Sequence, residues 1–183
     1  MSKDLIPLVT SGMAILVSLF SLFYTAKDRR SAEVRLAQRN SLEKVIVELG
    51  NELYSVVAMS KRMGLATDNT QFIENKKTAT ESSRRVDHLR RDSRYFLWGL
   101  NDGIHTLSMV PKYVEFLRGD NDSVEAIVKI ATELREALDL AIKHCYQSGM
   151  APSKRSIRKV ADKMEKVKAY YENEKAGQRQ DSA

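Results

Sequence analysis

At 183 residues the chain has length for one modest core, which argues against a second independent domain. Charged residues make up 30% of it and aromatics 7%, with Gly 8 and Pro 3, a balance that fits a helical protein and not a sandwich or barrel. The single cysteine, Cys145, excludes an intramolecular disulfide; nothing here requires an oxidising compartment, and its place on an apolar stripe suits a buried thiol in a reducing cytosol.

Residues 1–4 form a short extracytoplasmic tail, and residues 5–26 carry no charge. At ~1.5 Å per residue such a run crosses a ~30 Å hydrocarbon core as one transmembrane helix. A cleaved signal peptide fits less well, because the apolar run is long and bulky Tyr24 stands two positions before Ala26, where cleavage wants a small side chain. Only Lys3 precedes the span, whereas Lys27, Arg29, Arg30, Arg35 and Arg39 follow it as a juxtamembrane basic group. Positive residues stay inside, so the run reads as a signal anchor of the cell (inner or plasma) membrane, with the N-terminus outside and everything after the span in the cytoplasm. Ser11, Ala14, Ser18, Ser21 and Thr25 recur at spacings of three and four, a packing face that lets spanning helices approach closely.

The cytoplasmic part, residues 27–175, reads as helices over about 27–63, 71–118, 122–148 and 152–175, with a polar tail at 176–183. Leu42, Ile46, Leu49, Leu53, Val56 and Met63 make one seam, assigned here to self-association, and Gly64 ends that helix. The second seam runs through Val86, Leu89, Phe96, Leu100, Leu107, Val110, Val114 and Leu117, with Ser93 and Gly103 in its gaps. Asp102, Gly103 and Pro111 interrupt it, so a kink or break is expected between about residues 101 and 111. Asp122 followed by Glu125 resembles a capping arrangement for the third helix, whose seam is Val124, Ile127, Ala131, Leu134, Leu138, Ala141 and Cys145. Pro152 suits the first turn of the last helix, which shows Ile157, Val160, Met164, Val167 and Tyr171 on one face. The fold class is therefore all-α: a transmembrane helix continuing into an antiparallel, coiled-coil-like four-helix cytoplasmic bundle.

In that topology Lys61, Arg62, Lys76, Lys77, Arg84 and Arg85 flank the first turn, and Lys154, Arg155, Arg158 and Lys159 follow the third, so both groups fall together as a membrane-distal basic cap. Such a cap attracts an acidic protein or nucleic acid, although no recognition fold accompanies the charge and a solvated surface is the plainer reading. His88, His105 and His144 make no metal-binding spacing, and Trp98 reads as core or partner surface. No phosphate loop or nucleophile motif is present; the expectation is no enzyme, no cofactor and no small-molecule substrate. The leading expectation is a single-pass helical interaction module that forms a homo-oligomer through its first helix and presents the bundle to a cytoplasmic protein partner. The alternatives are a pore-forming or membrane-perturbing effector using the serine face, and a membrane tether for nucleic acid or an acidic protein.

Overall fold

Apolar residues recur every three to four positions along almost the whole sequence after residue 42, and every regular element that results is helical among the described residues. The structure is a computed structural model, and it describes residues 43–94, 96–148 and 150–181, the side chains as far as Gly177. The expected span at 5–26 with its packing face, the juxtamembrane basic group and Leu42 lie outside the described residues. Among those described, no helix is long and apolar enough to cross a membrane. From Leu42 onward the chain makes a unit with its own core.

Helix α1 is helical over 43–64, followed by α2 (Asn69–Asp92), a 3-10 turn (Trp98–Leu100), α3 (Asn101–Ser108), α4 (Val110–Phe116), α5 (Asn121–Ser148) and α6 (Lys154–Asp181). Pairings across the legs fix their directions. Arg85 meets Glu52 at 3.0 Å and Ser82 meets Ser55 at 2.8 Å, so α2 runs antiparallel to α1. His105 lies 3.4 Å from Asp87, Lys76 pairs with Glu115, and Arg118 reaches Asn69 at 3.3 Å, so α3 and α4 together run back along α2. Helix α5 returns antiparallel to α1, with the Arg135 guanidinium 5.5 Å from the Tyr54 ring centroid. Helix α6 runs antiparallel to α5 through Lys163 and Glu133, and therefore parallel to α4, where Tyr113 stacks on Tyr171 at 4.2 Å.

The expected second helix over 71–118 is thus two antiparallel legs, and the bundle has five legs instead of four. The chain turns back at 93–100, ahead of the expected interruption. Ser93 ends α2, its N–H at 3.0 Å and its hydroxyl at 2.7 Å both donating to the Leu89 carbonyl. Leu97 and Leu100 plug the core from the turn, and the Asn101 amide donates to the Arg94 and Trp98 carbonyls at 3.3 Å, holding the turn closed. Gly103 marks no break: it lies inside α3, where a Cβ would overlap Val160 of α6, so its bareness permits close helix contact. The break expected between 101 and 111 falls at Met109, where α3 ends and α4 begins, and Pro111 occupies the first turn of α4, where the missing N–H costs no helix bond.

The seams meet in one core. Leu49, Leu53, Val56 and Met63 from α1 pack with Val86, Leu100, Ile104, Leu107, Ile127, Leu134, Leu138, Val160 and Val167, all fully or nearly fully buried. Each such side chain contributes ~1.5–3 kcal/mol by leaving water, so α1 is held by its burial more than by helix propensity. Gly64 belongs to the same packing, because a Cβ there would overlap Val114 and Val124.

Two caps differ from expectation. Asp120, not Asp122, opens α5: its carboxylate accepts from the Ser123 N–H at 3.2 Å and the Ser123 hydroxyl at 2.7 Å. Ser153 opens α6, accepting from the Ser156 N–H at 3.1 Å, which leaves Pro152 buried just ahead of the helix instead of in its first turn. Helix α6 continues to Asp181, past the expected limit at 175.

Candidate functional site

The fifth leg decides where the charges stand. In an up-and-down bundle every reversal exchanges the end at which the next helix starts, so the reversal at 93–100 moves everything after it to the opposite end. The proximal end holds residue 43, the 93–100 turn and the α5–α6 turn; the distal end holds the α1–α2 and α4–α5 turns. Lys61, Arg62, Lys76 and Lys77 lie in the distal half, Arg84 and Arg85 in the proximal half of α2, and Lys154, Arg155, Arg158 and Lys159 at the proximal start of α6. The expected basic cap therefore does not exist as one surface.

The cations are paired only in part, with Arg62 and Lys77 exposed and in no ion pair among the described residues. At the distal end Lys76 pairs with Glu115, and the Arg118 guanidinium lies 3.8 Å from the Phe72 ring centroid. Lys61 lines a groove with Asp122 and Glu125. Arg85 is bound to Glu52, whose carboxylate raises the guanidinium pKa further. Lys154, Arg155, Arg158 and Lys159 are likewise exposed and make no ion pair among the described residues.

The Leu49, Leu53, Val56 and Met63 seam, assigned from the sequence to self-association, is spent inside the bundle, while Ile46 is half-buried. A second copy cannot reach those four side chains while the bundle stays folded. The outer face of α1 is what remains. Val47 and Tyr54 are 58% and 62% exposed, and on α5 Leu140 is 60% exposed. Between α1 and α5 runs an open groove of ≈ 660 Å³ lined by Tyr54, Val57, Ala58, Lys61, Glu125 and Arg135, among others. Near Arg135, at 2.9 Å, Asp139 has its pKa raised by burial, against which Arg135 acts.

Cys145 is buried, and desolvation raises its thiol pKa, which suppresses the thiolate. His105 pairs with Asp87 and His88 with Asp92, each at 3.4 Å, and His144 joins neither pair. Among the described residues no three His, Cys, Asp or Glu side chains gather as a metal site. Lys163 holds the Glu133 carboxyl below its ordinary pKa, and burial raises the Tyr113 hydroxyl; both sit in leg-to-leg contacts.

Sequence reasoning left Trp98 between core and surface, and the fold resolves it: the neighbouring Leu97 and Leu100 point inward and Trp98 is left outside on the proximal turn. No signal in the three-four pattern separates these neighbours, because a tight turn does not follow that period. Set against models of known protein families, curated proteins and solved structures, the chain has no match in any of the three.

Proposed function

We propose that this chain is a single-pass membrane-anchored interaction module whose cytoplasmic bundle self-associates through the outer face of its first helix and presents the remaining surface to a partner protein. The observation that carries the reading is the open groove between α1 and α5, where exposed Tyr54 stands with Val57 and Ala58 among Lys61, Glu125, Lys129 and Arg135, and Val47 is exposed two turns earlier on α1. Exposed apolar side chains flanked by polar ones are the usual composition of a protein contact. The anchor rests on the uncharged run at 5–26 and the orientation on the basic residues after it. Self-association through the apolar seam of the first helix is replaced by the opposite face of that helix, since Leu49, Leu53, Val56 and Met63 are buried in the chain's own core.

The nucleic-acid tether loses its geometric support, because the basic groups that were to act together stand at opposite ends. The pore reading depends on the serine face of the span, which lies outside the described residues.

Mass measurement of the full-length protein in detergent, beside a chain starting at Lys27, tests the proposal. An oligomer in both, reduced to monomer by Tyr54→Asp with Val47→Asp, is expected; monomers in both preparations end the self-association reading.

A further inference from the structure

Trp98 and Met150 are 64% and 62% exposed, and both stand in turns at the proximal end. The 3-10 turn that carries Trp98 lies directly on the first turns of α6, because Gly99 has no room for a Cβ against Ile157. At the same end Lys154, Arg155 and Arg158 at the start of α6 and Arg91 in the last turn of α2 are all exposed. Between Leu140 and Ala161 the sequence contains no Asp or Glu at all, so the α5–α6 side of this end has no counter-charge of its own. The acidic side chains of this end stand on the α1–α3 side, where Asp87 pairs with Arg90, Glu48 and Asp92 share a groove with Arg84 and Arg85, and Glu43 and Asp102 are exposed.

We infer that this end of the bundle is a lipid-docking surface, with Trp98 and Met150 entering the headgroup region of an anionic leaflet and Arg91, Lys154, Arg155 and Arg158 binding its charge. Trp is at home at a bilayer interface, where its ring is apolar and its N–H meets water, and clustered Lys and Arg bind anionic lipid additively within a Debye length. The tether supplies the partner. Residue 43 is at this end, and residues 27–42, even fully extended at ~3.5 Å each, keep it within ~55 Å of the expected span. The four-leg topology put Lys154 to Lys159 at the far end, out of reach of the chain's own membrane; the reversal at 93–100 brings them to the tethered end. A bilayer held this close acts at high effective concentration, so a modest patch suffices. The inference rests on the anchor proposed above.

Trp98 is the chain's one tryptophan, so its fluorescence reports this surface alone. The full-length protein is reconstituted in liposomes containing phosphatidylglycerol or only phosphatidylcholine, each with lipids brominated high on the acyl chain. Blue-shifted, strongly quenched Trp98 emission is expected in the anionic bilayers and not in the neutral ones. Lys154→Glu with Arg155→Glu and Arg158→Glu should abolish the quenching, and Lys61→Glu with Arg62→Glu and Lys77→Glu at the distal end should leave it intact. Unquenched emission in anionic bilayers overturns the inference, as does quenching of equal size in both lipids. So does a Trp98 emission shift produced by duplex RNA but not by anionic lipid, which would assign the patch to another polyanion. Resistance to alkaline carbonate extraction reads the anchor separately: a carbonate-resistant but unquenched protein keeps its anchor and loses the docking surface, and an extractable one loses the anchor.

Discussion

The two ends of the bundle use the same residue types for different ends. At the distal end two cations are engaged across legs, Lys76 with Glu115 and Arg118 with Phe72 and Asn69, while Lys61, Arg62 and Lys77 are exposed and make no ion pair among the described residues. At the proximal end Lys154, Arg155 and Arg158 are exposed in the same way, at the end that carries the exposed Trp98. What sets the proximal end apart is that indole and a stretch between Leu140 and Ala161 without Asp or Glu, which leaves its charge to something outside the chain. The contrast teaches that a basic cluster in a helical sequence has no location until the reversals between it and its neighbours have been counted.

The largest expected effect removes the plug that makes the reversal. Leu100→Ala leaves a hole beneath the 3-10 turn and should cost ~2–5 kcal/mol in urea unfolding. A cost below ~1 kcal/mol would mean that the turn does not seat in the core and would blur the distinction between the ends. Next comes the distal end: Gly64→Val forces side-chain atoms into Val114 and Val124 and should cost ~1–3 kcal/mol by overpacking, read from the same unfolding midpoint. A neutral result there would show that α1 does not approach α4 and α5 so closely.

A smaller effect sharpens the proximal side alone. Ser153→Ala removes the acceptor for the Ser156 N–H and should cost ~1 kcal/mol, with faster amide exchange confined to the first turn of α6. Exchange that rises equally at the start of α5 would contradict that confinement. The smallest effect is a pH response of the distal end. Bonds from Ser123 lower the Asp120 carboxyl pKa, so the folded state binds its proton less readily than the unfolded chain does. Its stabilising contribution is complete above the unfolded value near 3.8 and disappears as pH falls through the depressed folded value. Amide protection at the α5 N-terminus, corrected for the intrinsic exchange rate, should therefore fall below about pH 4, where Asp120→Asn should show little response at this cap.

Much of the core was legible from spacing. Every member of the Val124 to Cys145 seam is buried, as are Leu49, Leu53, Val56 and Met63, because an amphipathic helix buries whichever face is apolar whatever its neighbours are. The number of legs was not legible. The three-four register passes through Leu89, Ser93, Phe96 and Leu100 without a Pro to announce the turn, and the seam stays inward on both sides of it. Gly103 and Pro111, which look like breakers, instead permit close packing and start a helix. The site was misplaced for the same reason: the residues of the basic groups were identified, but their ends followed from a reversal that local periodicity does not encode. The α1 seam was misassigned differently, since an apolar stripe states that it will be buried and not whether its partner is the same chain or another.

The account is tested most directly by one distance. With Cys145 replaced by Ala, spin labels on Arg62→Cys and Arg155→Cys report by pulsed dipolar spectroscopy whether the two basic groups share an end. Helix α5, with 28 residues, spans most of the separation between them, so the account predicts a distribution centred near ~40 Å at ~1.5 Å per residue. Neighbouring helix ends stand only ~8–10 Å apart between axes, so a dominant distance below ~20 Å would put both groups on one cap and contradict the five-leg topology.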